Sequence, residues 1–300
     1  MRAATARAAA TAAIAAMIAV VLALAGCAPS EAEPATVVPG GFPDGVTAEL
    51  QQLRSDVAAR QAQVFVTNGT DEHLVIGDLD VTDPRLAGPG SRLVARDSRI
   101  GPGATAGIRI QLPPVVCEND LEAGTLLRPT LTVAYTLGDA SGSASIPIED
   151  PLGFVSPLHE RECRFESLSE VAAVAFTAFV PSPAGEPAAL ELTVTPTGAG
   201  AATISDIRTT NLLTFAGAER STGALPLALA VGDTDPIVVE LPLVPLRCDA
   251  HAVQEDKRGT IFEVGVVAAG EPGGIELAAS DELRGRILTW VADWCGFGGS

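Results

Sequence analysis

Lysine is nearly missing from these 300 residues. Lys257 stands alone, and 19 basic residues face 37 acidic ones, a formal net charge of −18. A polyanion such as nucleic acid is gripped by clustered Lys and Arg that displace its counterions, and no such run occurs along the chain. Nucleic acid is therefore not an expected partner, and anionic lipid head groups are disfavoured for the same reason. An acidic excess of this kind describes a solvated surface. Aromatic residues are also scarce, 4% against 47% apolar residues in total, so the core must be packed from Ala, Val, Leu and Ile.

Catalytic signatures are missing too. The chain holds no Gly-x-Ser-x-Gly elbow, no His-Glu-x-x-His pair, no Ser-x-x-Lys, no phosphate-cradling P-loop and no dinucleotide fingerprint. Neither an enzyme nor a bound cofactor is expected. Two constellations invite a metal without completing a site. His159 and Cys163 are spaced i, i+4, the spacing that puts zinc ligands on one helix face, but the second half of the chain has Val291 where the matching histidine would fall. Asp78, Asp80 and Asp83 form a carboxylate group that lacks the glycine and distal glutamate of a calcium loop; alternating acids on the outer face of a strand account for it. His73 and His251 sit in expected turns. No metal site is expected.

What the chain does hold is a segment that occurs twice. In the first half an apolar strand ending Gln111, Leu112, Pro113 leads to Cys117; strands around Leu131, Val133, Tyr135 and around Ile146, Ile148 follow, and Asp150 opens a helical pattern that closes on Cys163. In the second half Glu240, Leu241, Pro242 lead to Cys248, then come Phe262, Val264, Val266 and Ile275, Leu277, and Asp281 opens a pattern that closes on Cys295. The two cysteines of each half are displaced by 131 and 132 residues. Earlier landmarks repeat as well: Val64, Val66, Asn68, Gly69 and then Ile76, Leu79 correspond to Leu192, Val194, Thr197, Gly198 and Ile204, Ile207, at a displacement near 128. A repeated order at near-constant spacing describes a duplicated domain.

Short strands with turn signals every 8 to 15 residues and one cysteine pair per unit predict an all-β fold of two tandem immunoglobulin-like β-sandwich domains, each ending in a short helix. The usual buried tryptophan between the cysteines is missing, so membership of the immunoglobulin family itself is not implied. The expected organisation is a signal peptide over residues 1–26, a flexible tether over 27–45, a first sandwich over 46–165 and a second over 166–300. The stretch from Val46 with Leu50, Leu53 and Val57 reads as an amphipathic run capping the first sheet, or else as a first strand. The boundary is placed at residues 165–169, and the apolar run over 171–180 opens the second domain.

The N-terminal residues carry Arg2 and Arg7, then an uncharged apolar stretch from Ala8 to Ala25, the layout of an export signal. It ends Leu24, Ala25, Gly26, Cys27, which resembles the lipobox of bacterial lipoproteins. That resemblance implies a diacylglycerol on the Cys27 sulfur, cleavage before it, and anchoring to the extracytoplasmic side of the cell membrane. Beyond it, Pro34, Pro39, Gly40, Gly41 and Pro43 break any periodicity and make a tether. With Cys27 so used, four cysteines allow three pairings, and the repeat selects Cys117 with Cys163 and Cys248 with Cys295. Export favours oxidation.

The body is similar to bacterial envelope proteins in which a strand ending in Leu and Pro precedes one cysteine and an Asp-Pro-Leu-Gly segment precedes the next, here Leu112 to Cys117 and Asp150 to Cys163. The resemblance brings no activity. In the last helical pattern Leu283, Ile287, Trp290, Val291 and Trp294 make one apolar stripe; core packing is expected of it, with Trp290 the candidate for surface contact. The expected role is a lipid-anchored, non-enzymatic interaction or structural module of the cell envelope with an envelope protein as partner. A carrier or sensor for a small molecule or metal ion is the alternative, and an envelope hydrolase is third. Oligomeric state is not legible.

Overall fold

Alternation of Val, Leu and Ile with polar residues produces sixteen strands among the described residues of a computed structural model, which are 40–117, 127–217, 222–255 and 258–297. The expected export signal and Cys27 lie outside the described residues, as does the tether up to Pro39. The first eight strands are β1 (Val46–Gln51), β2 (Gln61–Asn68), β3 (Leu74–Thr82), β4 (Gly90–Arg92), β5 (Ser98–Ile100), β6 (Thr105–Gln111), β7 (Thr130–Leu137) and β8 (Ala140–Pro147). The next eight are β9 (Ala172–Val180), β10 (Ala188–Pro196), β11 (Ala202–Arg208), β12 (Leu213–Phe215), β13 (Thr222–Leu229), β14 (Ile237–Pro245), β15 (Ile261–Ala268) and β16 (Glu271–Ala278).

The second set makes two four-stranded antiparallel sheets, ordered β12–β14–β10–β9 and β13–β11–β15–β16. All six of their pairings recur in the first set: β1 with β2, β2 with β6, β6 with β4, β5 with β3, β3 with β7, and β7 with β8. The register repeats too. Ile76 lies opposite Tyr135 as Ile204 lies opposite Val266, and Leu79 opposite Val133 as Ile207 opposite Val264, with a bulge between those positions in both β3 and β11. Val64 faces Ile108 as Leu192 faces Val239. Two different displacements along the chain meet in one register, which is what duplication of a single immunoglobulin-like sandwich produces. The copies differ at β4, which in the first pairs with β3 as well as β6 and so joins both sheets into one.

Each sandwich buries its own cluster. Val64, Val66, Ile108 and Ile110 meet Leu74, Ile76, Leu131 and Val133 in the first; in the second, Phe176 stands edge-on to Phe262 at 5.0 Å among Leu190, Leu192, Ile204 and Val264. Full burial of such side chains contributes roughly 1.5–3 kcal/mol each. Of the two readings of the Val46 stretch, the strand is the one that forms: Val46 and Leu50 point inward from β1, and the helix shrinks to a single turn, α1 (Arg54–Val57). Gly69, at the end of β2, admits no side chain, because a Cβ there would lie 2.7 Å from the Gly45 carbonyl oxygen.

The helix α2 (Val155–Val171) runs past Cys163 for two further turns and passes directly into β9. Its first half gives Val155 and Leu158 to the first cluster; its second half gives Leu168 to the other. The expected boundary at 165–169 thus falls inside a helix that both cores share. Arg164 reaches β16 and donates to the Gly274 carbonyl at 2.8 Å, and Gly273 leaves room for it, since a Cβ would meet the guanidinium. Two more helices, α3 (Ala250–Glu255) and α4 (Asp281–Trp294), complete the chain. The N-cap of α4 is Ser280, which accepts from the Leu283 amide at 3.2 Å. Asp281, read as opening the helical pattern, and Glu282 occupy the first turn, where the helix dipole favours their charge. No helix among the described residues is long and apolar enough to cross a membrane.

Candidate functional site

The junction is also where the described surface opens a cleft. One wall is the turn after α1: Arg60, in the left-handed backbone region, donates from Nε and Nη2 to the Pro113 carbonyl at 3.2 and 2.7 Å and pairs through Nη1 with Glu162 of α2. The opposite wall comes from the second sandwich, where Glu276 on β16 takes Arg161 of α2 at 3.7 Å and Arg258. Val57, Val115, Leu158 and Phe165 give the cleft, of about 410 Å³, an apolar lining. Phe165 is 41% exposed. Arg161 and Glu162 of α2 are drawn into ion pairs across the two walls, and Glu166 adds an exposed carboxylate to the rim, so the cleft offers apolar surface inside a charged frame. Such a frame suits an apolar side chain of a partner or a small, mainly apolar ligand.

Each sandwich holds one disulfide. Cys117 is bonded to Cys163 with Cα atoms 5.3 Å apart, and Cys248 to Cys295 at 5.2 Å, the pairing that the repeat selects. His159 and Cys163 do not form a ligand pair: the cysteine is in its disulfide, and His159 Nε2 lies 3.0 Å from the Val116 carbonyl. No group of three or more His, Cys, Asp or Glu arranged to hold a metal occurs among the described residues. His251 falls in α3 rather than in a turn, and it and His73 are exposed.

The reading of Asp78, Asp80 and Asp83 as outward acids is corrected at its last member. Asp78 is exposed and Asp80 accepts from Ser91 Oγ at 2.6 Å, but β3 ends at Thr82, and Asp83 turns inward to hold both arms of Arg85 at 2.6 and 2.7 Å. Both are buried. The Asp83 hydrogen bond raises the Arg85 guanidinium above its ordinary value against the opposing effect of burial. Asp150, read as opening the helical pattern, stands five residues before the start of α2 and accepts from the Val155 amide at 3.1 Å. Burial pushes its carboxyl up, against hydrogen bonds from Val155, Gly153 and Phe154 and the charge of Arg85.

Trp290 is also corrected. It is only 3% exposed, packed edge-on against Phe179 at 5.5 Å, and its indole donates to the Ser182 carbonyl at 3.0 Å. An apolar body with its one donor satisfied in the loop after β9 has nothing left for a surface contact. Trp294, one turn on, is the less buried of the two and donates to the Glu186 carbonyl.

No protein-family model matches the chain, and no curated protein matches it. Among solved structures it is similar to the CsuC–CsuE chaperone–tip adhesion subunit pre-assembly complex from archaic chaperone-usher Csu pili of Acinetobacter baumannii, at 10% identity over 78% of this chain and 100% of that one, TM-score 0.21. It is similar to the Pseudomonas aeruginosa CupB2 chaperone at 12% identity over 74% and 94%, TM-score 0.19. A third likeness is to red sea bream transglutaminase, at 8% identity over 79% of this chain and 31% of that one, TM-score 0.21. At these TM-scores the likeness carries no argument, and the immunoglobulin-like architecture rests on the strand pairing itself.

Proposed function

We propose that the protein is a non-enzymatic interaction module of the cell envelope, held outside the cytoplasmic membrane by lipid on Cys27, which presents its junction cleft to an envelope protein. The observation that carries this reading is the helix α2, which enters both cores without a linker and so fixes the two walls of the cleft relative to each other. Preorganised walls bind without an ordering cost. The two disulfides fit an oxidising compartment. The test is a photo-crosslinking residue placed at Phe165 in intact cells, with a second placed at Val231, which is 73% exposed and far along the chain from the cleft. A discrete adduct from position 165 that is absent from 231 and lost in C27A is the expected result. Turnover of an ester, peptide or glycoside substrate by the purified chain, abolished by one point substitution, defeats the reading.

A small-ligand carrier is the second reading, favoured by one observation: a cleft of about 410 Å³ falls in the size range of small-molecule sites. Saturating ligand at 100 times its Kd adds about 2.7 kcal/mol to stability. Ions or metabolites that leave the melting temperature unchanged at high excess count against it.

A further inference from the structure

Three arginines separated along the chain converge on one pocket of the first sandwich. Arg92, Arg96 and Arg109 line a cavity of about 350 Å³ with Gln63, Gly107 and the exposed Leu93 and Val94, and no carboxylate lines it. The pocket sits where β4 leaves β3 to pair with β6, and the segment 93–97 is held over β6 by a bond from the Leu93 amide to the Arg109 carbonyl at 2.9 Å. Arg92 donates from Nη2 to Ser98 Oγ at 3.0 Å and the Ile76 carbonyl at 3.3 Å, while its Nε is buried without a partner. Burial pulls its guanidinium down, opposed by the charges of Asp97 and Asp78. Arg109 keeps its side chain 54% exposed while its Nε forms an ion pair with the buried Asp56 at 3.6 Å.

The second sandwich serves as a control built into the molecule. The cross-strand pair Gln63 and Arg109 corresponds in register to Glu191 and Glu240, and the pair Phe65 and Gly107 to Thr193 and Val238. A Cβ on Gly107 would lie 2.5 Å from Gln63 Oε1 and 3.2 Å from the Phe65 ring, so the glycine makes room for the Gln63 side chain that lines the pocket, where the other copy has valine. If the scaffold itself called for this charge and this space, both copies would show them. We infer that this pocket binds a phosphate ester, its anionic head among the three guanidinium groups and its organic body against Leu93 and Val94. Guanidinium forks match phosphate oxygens in pairs, and three of them exceed what one carboxylate accepts.

The test titrates the full chain, in a non-ionic detergent, with inorganic phosphate, glycerol phosphate, acetate and short-chain phosphatidylglycerol. Arg96 is exposed and Arg99, nearby on β5, is exposed outside the pocket, so R96Q and R99Q remove equal charge with little risk to the fold. Glycerol phosphate is expected to bind saturably and more tightly than acetate, to weaken about tenfold in R96Q, and to change by less than about twofold in R99Q. Tighter binding of the short-chain lipid assigns the ester to a lipid head group, and equal binding assigns it to a free ester; either supports the inference. No saturable binding of either phosphate probe, acetate binding as tightly, or equal losses in R96Q and R99Q overturns it.

Discussion

Asp150 shows how one side chain can be placed at a cost to itself. Its Oδ2 holds the start of α2 through the Val155 amide, while its Oδ1 is buried without a partner, and burial raises the carboxyl above its ordinary value of 3.8. Just above that value the folded state therefore holds more protons than the unfolded one, so stability falls as pH rises through the window between the ordinary and the raised value. Asp150→Asn keeps an oxygen for Val155 and removes the charge. The variant is expected to melt at or above the wild-type temperature at neutral pH, with the advantage disappearing once the pH falls below the ordinary carboxylate value. Melting curves across the acid range check this, and a variant that melts lower at neutral pH contradicts it. Neither this role nor that of Asp83 was legible in the sequence. Alternation along β3 predicts which face a residue takes only while the strand lasts, and Asp83 comes one residue after its end. Trp290 was misplaced for a related reason: a helical stripe identifies the buried face but not how deeply each of its members is covered, and Trp290 is the more buried of the two tryptophans.

Most elements were legible, because strands buried on one face must alternate and turns need Gly, Asn or Pro. The length of α2 was not. Leu158 and Leu168 are ten residues apart, which at about 100° per residue turns their side chains roughly 80° from each other. The two halves of the helix thus show no single stripe, and a pattern that fades after Cys163 looks like an end. It fades because the helix changes cores. Glu166 is exposed at the change-over, and Glu166→Pro would remove one amide donor and press its ring against the carbonyl of Glu162, a cost of about 3 kcal/mol. Calorimetry of this variant is expected to resolve two transitions where the wild type gives one. A single transition at the wild-type midpoint would show that α2 does not couple the sandwiches.

At the scale of the whole molecule, duplication was legible as order and spacing, whereas the difference between the copies was not. It lies in a three-residue strand, β4, that pairs both ways in one copy only, and in an arginine group assembled from two segments. Each copy holds one disulfide, but the two differ in reach because only one of them is bonded to the shared helix. Closing a loop of 46 or 47 residues removes unfolded-chain entropy equivalent to roughly 4 kcal/mol in the loop model. Cys295, however, caps α4, which packs within the second cluster, whereas Cys163 lies in α2, which supports both. Replacing Cys248 and Cys295 by serine is therefore expected to speed amide exchange in α4 and β14 while leaving β2 and β7 protected. Replacing Cys117 and Cys163 is expected to loosen α2 and, through the Arg164 bond to Gly274, to raise exchange in β16 of the other sandwich as well. Hydrogen exchange read by mass spectrometry on both double variants distinguishes the cases. If each loss stayed within its own copy, the helix would be a tether between independent domains and the cleft between them would have no fixed shape.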